Sequence, residues 1–312
     1  MNSFGKDDLE SDSIKLIDFF MGWISINDLK SRIELFEMSR NSLSYDNARE
    51  ILKNILLVGP EECRGGSFFL EARGMCEGSI FWRSRKMKYF EKSLEEKEFW
   101  APPSDCVRDN GRVNYPGQSV LYTSLHPITT AAEVRVVAGD KILNISYELL
   151  RMIDVFWVDE NKENIGYTKE TYEKLHLISK FIKSNLMSRD EGAYVFSSVF
   201  VNDIMPDQCS GWFYESVLGG GGENYCFKAI DAVNNLKILK IYAYESNKDG
   251  CLGNLVGMYL KDGDKYVYCD DLGFVVKDYK DFVLSRRGSG VSGSAEVIET
   301  NPEPYRLVPR LL

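Results

Sequence analysis

The sequence predicts an α+β protein, and three observations carry that reading. The first sixty residues repeat apolar side chains at helical spacing. From about residue 78 the chain breaks into short β-branched and aromatic runs parted by turn residues. The helical patterns that interrupt those runs follow no regular strand–helix–strand rhythm. A doubly wound parallel sheet needs that rhythm and is not expected. With 312 residues, 44% of them hydrophobic, the chain can bury one large core or two unequal ones without disulfides or a structural metal.

Residues 13 to 58 read as helical. Leu29, Ile33 and Phe36 recur on one face after Ser25 and Asn27, both suited to capping, and Ala48, Ile51, Leu52, Ile55 and Leu56 repeat the pattern until Gly59-Pro60 stops it. Helices this short are marginal alone, so their stripes must dock on the rest of the chain, on a second copy or on a partner. Residues 1 to 77 are accordingly expected to form a small helical N-terminal region. Ile80 to Arg83 and Ser119 to Thr123 read as strands, and Pro127 to Val136 as a helix with proline in its first turn. Lys169 to Asn185 is a second helix, with Tyr172, Leu175, Ile178 and Ile182 on one face. Trp212 to Val217 and Tyr225 to Ala229 read as strands flanking a Gly219 to Gly222 turn. Leu236 to Tyr244, Leu255 to Leu260 and Lys265 to Cys269 continue the β character, with Asp262-Gly263 marking a hairpin. Lys86, Lys88, Lys92 and Lys97 alternate with Glu91, Glu95, Glu96 and Glu98 and read as a solvated helical face. The main domain is expected over 78 to 285, followed by a flexible Gly-, Ser- and Pro-rich tail over 286 to 312.

Charge and composition exclude several classes. Thirty-eight Lys and Arg against 47 Asp and Glu leave a net charge of −9, which repels nucleic acid and anionic membranes. No segment approaches the ~18 uncharged apolar residues of a membrane span, and the acidic start does not suit a signal peptide. Seven cysteines without a Cys-x-x-Cys pair fit a reducing cytoplasm, and with only His126 and His176 available no metal site is expected.

The polar residues that remain concentrate between Gly111 and Arg135. A turn runs Gly111-Arg112-Val113-Asn114-Tyr115-Pro116-Gly117, a strand ends in Leu121-Tyr122-Thr123-Ser124, and Glu133 falls on the following helix. A turn-borne Arg, a strand-end Tyr and a helix-borne Glu at these spacings suit one mouth of a sheet. With Arg83 on the first strand, and Ser216 and Asn224 on either side of the glycine run, the ordered set resembles the RES-domain family. Val113 stands where that family usually has Trp, and Glu215 where Pro is common.

The resemblance implies an ADP-ribosyltransferase-like fold, a mixed sheet flanked by helices. It also implies an enzyme that consumes NAD by cleaving its nicotinamide–ribose bond, as a toxin or defence effector. No cofactor is required, since NAD is the substrate; water, inorganic phosphate or a protein is the acceptor, the last making the enzyme a mono-ADP-ribosyltransferase. An antitoxin or immunity protein and a homodimer are the partners it implies. By this reading Glu133, Arg83 and Ser216 are catalytic, while Arg112, Tyr122, Asn114 and Asn224 bind NAD. The chemistry of these residue types agrees. A carboxylate stabilises the oxocarbenium character that develops on the ribose. Planar arginines suit a pyrophosphate better than lysines. Other readings of single residues remain open: a structural ion pair for Arg83, with Arg85 on the same strand face, a core position for Tyr122, and a solvated charge for Glu133. A catalytically inactive interaction module is the alternative outside enzymology.

Overall fold

The computed structural model describes residues 6–66, 70–159, 161–188, 190, 193–205, 210–216, 218, 222–249 and 251–287. In chain order they form α1 (Lys6–Met21), α2 (Ile26–Ser39), α3 (Tyr45–Leu56), β1 (Leu57–Val58), β2 (Gly65–Gly66), β3 (Leu70–Met75), β4 (Ile80–Met87), β5 (Ser93–Glu95), β6 (Val120–Ser124), α4 (Pro127–Glu133), β7 (Lys141–Leu149) and β8 (Ile153–Val158). There follow α5 (Lys169–Leu186), α6 (Ala193–Val199), β9 (Gly211–Glu215), β10 (Glu223–Lys228), α7 (Ala229–Asn235), β11 (Leu236–Glu245), β12 (Asn254–Asp262), β13 (Lys265–Cys269) and α8 (Leu272–Arg287). The α+β class stands. The chain divides into two compact units that do not follow chain order: Met1–Arg73, Ser104–Gln118 and Phe156–Cys209 make the first, and Gly74–Pro103, Ser119–Val155 and Ser210–Leu312 the second.

The first unit is helical. Ser25 accepts a hydrogen bond from the Asp28 amide and so caps α2, and Ser44 does the same for α3 through Asn47. The stripe on α2 is buried within the same chain: Phe36 meets Phe181 of α5 and Phe196 of α6 with ring centroids 5.6 and 5.8 Å apart. Phe181 and Phe196 thus share a core with the N-terminal helices.

The second unit is built on a sheet whose strands lie in the order β9-β10-β6-β4-β7-β11-β12-β13-β5, each neighbouring pair antiparallel. The Asp262-Gly263 hairpin joins β12 to β13, with Gly263 at φ 59°. Between β4 and β6 the register holds at a single pair, Trp82 with Ser124, whereas β4 and β7 pair along their full length. On one face α4 and α8 cover a core of Ala131, Val136, Ile142, Tyr242, Tyr244, Met258 and Val275. The other face is aromatic, with Phe81 packed edge-on against Tyr225 and Phe227.

Four sequence expectations change. Residues 86 to 98 are not a helical face: Lys86 ends on β4, and β5 and a 3-10 turn over Glu96–Phe99 follow. Their charges pair locally, Lys86 with Asp140 and Lys97 with Glu95, so charge alternation here marks a solvated strand edge. The helix expected through Val136 stops at Glu133. β7 and the helices α6, α7 and α8 carry no strong periodic signal and were not expected, and Arg286-Arg287 close α8 where the tail was expected to begin. The remaining tail, 288–312, and Gly219–Gly221 of the glycine turn lie outside the described residues.

Candidate active site

The site in the second unit is set by how α4 is fastened. Pro127 at the first helical position pre-forms the turn, and Ser124 at the end of β6 donates to the Glu223 carbonyl (2.6 Å), tying the approach to β10. Seven residues cannot hold a helix by themselves. A buried polar cluster does it instead. Ser84 of β4 and Thr130 share a hydrogen bond of 2.8 Å, and Asn144, paired with Ser84 across the ladder to β7, donates to Ser84 Oγ (3.1 Å) and Thr130 Oγ1 (3.4 Å). In its low-dielectric surroundings such a cluster fixes the helix against sliding.

The C-terminus of α4 is fixed as firmly. The Val136 amide bonds the Ala131 carbonyl (3.2 Å) and the Arg135 amide bonds the Ala132 carbonyl (2.8 Å), a Schellman closure with Ala131 and Val136 in one apolar cluster. Arg135 occupies the left-handed position at φ 51°, where glycine is usual. Glu133 is therefore the last helical residue, one turn beyond Thr130. It leaves the helix where β6 ends and β10 begins.

There it meets two of the residues named with it. Ser216 Oγ donates to Glu133 Oε1 at 2.6 Å, and Asn224 Nδ2 donates to the same oxygen at 2.7 Å. Ser216 and Asn224 are 6% and 4% exposed, so both donors are held by packing. Their strands are joined beside the site, since Asn224 pairs with Tyr214 of β9 and the Ser216 amide bonds the Gly222 carbonyl at 2.6 Å. Gly222 leaves room for α4: a Cβ there would lie 2.2 Å from Thr129 Oγ1 and 2.8 Å from its Cγ2, so any side chain forces Thr129 or the strand end to shift. Among the described residues Glu133 Oε2 takes no hydrogen bond, and the carboxylate pairs with no cation. Tyr122 lies opposite Cys226, two residues from the Ser124–Asn224 pair and on the same side of the sheet, half-buried.

Arg83 faces the other way. It alternates with Ser84, which bonds α4, and its Nη1 donates to the carbonyls of Phe99 (3.2 Å) and Trp100. Arg85, on the same face, donates to the Glu98 carbonyl (2.5 Å) and carboxylate (3.2 Å). Tyr147 lies beside Arg83. Burial pushes its phenol up to about 12, while the neighbouring guanidinium acts in the opposite direction. Arg112 and Asn114 belong to the first unit. Arg112 Nη1 donates to the carbonyls of Leu186, at the end of α5, and Ser188 (2.9 Å), with its guanidinium 5.4 Å from the Tyr194 ring. The Asn114 carbonyl accepts from Ser198 Oγ (2.9 Å) and from the Gly111 amide (2.9 Å), and its side chain donates to the Tyr115 carbonyl (3.3 Å). Sequence reasoning missed Ser84, Thr130 and Asn144, and read Gly222 only as part of a turn. Thr130, three residues before Glu133, was the one legible signal, because i and i+3 share a helix face.

An antiparallel α+β unit that presents a cation-free carboxylate, gripped by a serine and an asparagine at adjoining strand ends, has the makings of a polar ligand site. The RES domain family model matches residues 80–243, more than half of the chain, and the chain belongs to this family. No curated protein sequence matches it significantly. Among solved structures it is similar to a chain in the crystal structure of the M. tuberculosis MbcT–MbcA toxin–antitoxin complex, at 14% identity and a TM-score of 0.32, over 55% of this chain and 86% of that one. Among the described residues no helix is long and apolar enough to cross a membrane, and no group of three or more His, Cys, Asp or Glu is placed to hold a metal ion.

Proposed function

We propose that this RES-domain protein consumes NAD by cleaving the bond between nicotinamide and ribose, and that its host holds it in check as a toxin or defence effector. The observation that carries this reading is the state of Glu133: Oε1 is held by two neutral donors, and among the described residues Oε2 takes no hydrogen bond and no cation pairs with the carboxylate. A merely structural carboxylate in a half-buried position is ordinarily paired. An unneutralised, oriented one suits a cation that exists only during reaction. As the C1′–N bond breaks, its electron pair leaves with neutral nicotinamide and positive charge spreads over C1′ and the ring oxygen, where the carboxylate stabilises it. Water or phosphate then adds to C1′ and gives up a proton, yielding ADP-ribose or its phosphate ester; an amino-acid side chain in that place would give a modified protein. Ser216 completes the pocket, and Tyr122 packs against the nicotinamide end. Arg83, whose guanidinium lies on the opposite sheet face beside Tyr147 and the Phe99 and Trp100 carbonyls, enters the proposal on the family resemblance. Arg112 and Asn114 enter the proposal as NAD-binding residues on the family resemblance alone, as does the ADP-ribosyltransferase-like description of the fold.

The test is nicotinamide release from NAD by purified protein, with and without phosphate. Wild type is expected to exceed Glu133→Ala by on the order of 10²-fold or more. Product analysis then assigns the acceptor, with NAD-derived label on protein marking the transferase. In cells, wild type but not Glu133→Ala should lower NAD and halt growth unless an antitoxin is supplied. Release no greater than that of Glu133→Ala under any of these conditions overturns the proposal and leaves an inactive interaction module.

A further inference from the structure

The helical first unit holds a cavity of about 460 Å3 that the proposed reaction does not use. Its walls include Trp23, Ile24, Leu35, Ile51 and Leu57, and two arginines, Arg32 of α2 and Arg64 before β2, reach it as well. Both guanidiniums are anchored on one residue: Arg32 Nη1 donates to the Asn54 carbonyl at 2.6 Å, and Arg64 Nη1 donates to Asn54 Oδ1 at 2.8 Å. Neither forms an ion pair among the described residues, and no Asp or Glu lines the cavity. In a chain of net charge −9, two cations thus converge without a counter-charge. Each planar fork keeps further donors, and two forks around a shared point are how proteins hold a carboxylate or phosphate.

The apolar part is equally unspent. Trp23 is 58% and Leu35 60% exposed at the cavity, a cost that a bound apolar group would remove. The frame is rigid rather than incidental. Gly59 sits at φ 137°, where a Cβ would lie 2.6 Å from Phe20 Cδ1 and 2.7 Å from the Cys63 carbonyl, so this turn is closed tightly over α1. The buried Lys174 donates to the Met21 carbonyl (3.0 Å), fixing the end of α1 two residues before Trp23. A preformed cleft of this volume, with an apolar wall on one side and convergent arginines and an asparagine on the other, has the build of a site for a small amphiphilic molecule.

We propose that this cavity binds an acidic amphiphile, a small molecule with an apolar body and a terminal carboxylate or phosphate. The apolar body packs on Trp23, Leu35 and Leu57, and the anion lies between Arg32 and Arg64. The site is independent of the NAD reading, and its test needs no turnover. Calorimetric titration of the full chain with octanoate, octyl phosphate, octanol and octylammonium is expected to give binding of the two anions at least about tenfold tighter than octanol, and none of octylammonium. Arg32→Gln/Arg64→Gln should bring octanoate down to the level of octanol, Arg32→Lys/Arg64→Lys should fall between, and Leu35→Asp should weaken every ligand. Unchanged thermal melting of the exposed-arginine variants keeps these losses from being read as unfolding. Equal affinity for octanoate and octanol, anion binding indifferent to the arginines, or no binding at all overturns the proposal. Sedimentation with phosphatidylcholine vesicles, with and without phosphatidylglycerol, separates the sources of the anion. Arginine-dependent binding to the phosphatidylglycerol vesicles without binding of octanoate would make this a membrane-facing patch and refute the small-ligand site.

Discussion

Replacing Gly222 by alanine tests whether the glycine run is there to let the strand ends close against α4. The added Cβ would sit 2.2 Å from Thr129 Oγ1, 2.8 Å from its Cγ2 and 3.1 Å from its Cβ. Because α4 is fastened at Thr130 and at its C-terminus, and the Gly222 carbonyl bonds the Ser216 amide, neither side yields freely. Overpacking of this kind costs about 1–3 kcal/mol. At roughly 2–4 °C per kcal/mol for a domain of this size, the melting temperature of Gly222→Ala should fall by about 2–12 °C. Thr129→Ala removes the two nearest atoms and leaves only the 3.1 Å contact, which small shifts absorb. The double variant Gly222→Ala/Thr129→Ala should therefore melt close to Thr129→Ala alone, a coupling of about 1 kcal/mol or more between the two positions. NAD turnover should follow the same pattern, since the collision displaces the strand ends that carry Ser216 and Asn224. A Gly222→Ala variant as stable as wild type, or one whose loss simply adds to that of Thr129→Ala, would refute the reasoning.

Arg135→Gly relieves the left-handed strain at the end of α4 while keeping the carbonyl that Lys86 bonds, so it should raise stability by about 1 kcal/mol in chemical denaturation. Phe36→Ala should cost about 3–5 kcal/mol by emptying the contact with Phe181 and Phe196. Deleting residues 1–60 uncovers the same rings, and light scattering should then report aggregates; a soluble protein of unchanged association state would contradict that. Alkaline titration follows from the buried phenols. Burial raises Tyr147 to about 12 and drives Tyr45, Tyr242, Tyr244 and Tyr259 upward too, helped at Tyr45 and Tyr242 by the carboxylates of Asp203 and Asp278. Folded values above the unfolded value near 10 mean that stability is complete below about pH 10 and declines as pH rises toward 12 and beyond. Phenolate absorbance from these residues should accordingly appear together with unfolding rather than before it.

Where an element has a strong local period or a punctuating residue, the sequence was sufficient. Ser25 and Pro127 opened helices where their chemistry says they should, and the Asp262-Gly263 turn joined the strands beside it. The α4 end was misread because Arg135 occupies a glycine position; the local rule fails where the Schellman closure and the Ala131–Val136 contact overrule it. β7 lies at the middle of the sheet, apolar residues on one face and Asn144 and Ser146 on the other, and those buried polar side chains dilute its apolar pattern. In the site, Glu133, Ser216 and Asn224 were legible only as an ordered set, since their contacts span more than 80 positions. Beyond the helix-face spacing of Thr130 and Glu133, the fastening by Ser84 and Asn144 was not legible, because serine and asparagine have no sequence mark that separates a buried partner from a solvated one.

The two donors on Glu133 differ in what else they do, and that difference can be measured. Both reach the same oxygen, and with either one gone the carboxylate regains rotation about its terminal bond. If each acts only by orienting Glu133, the pair works as a unit. Ser216→Ala and Asn224→Ala should then each lower kcat by about tenfold, and the double variant should be little worse than either, as happens for groups that act together. Asn224, 4% exposed and opposite Ser124, fits that role. Ser216 stands at the end of its strand, and the Leu218 amide bonds its Oγ (3.3 Å), so the hydroxyl already serves two partners. A hydroxyl that also touches NAD would raise KM as well, and Ser216→Ala would multiply with Asn224→Ala to roughly a hundredfold loss in kcat/KM. Non-additive losses confined to kcat identify Ser216 as a positioning residue. Multiplied losses shared with KM make it a catalytic one, and an Asn224→Ala enzyme with wild-type kcat would refute the orienting role of the pair.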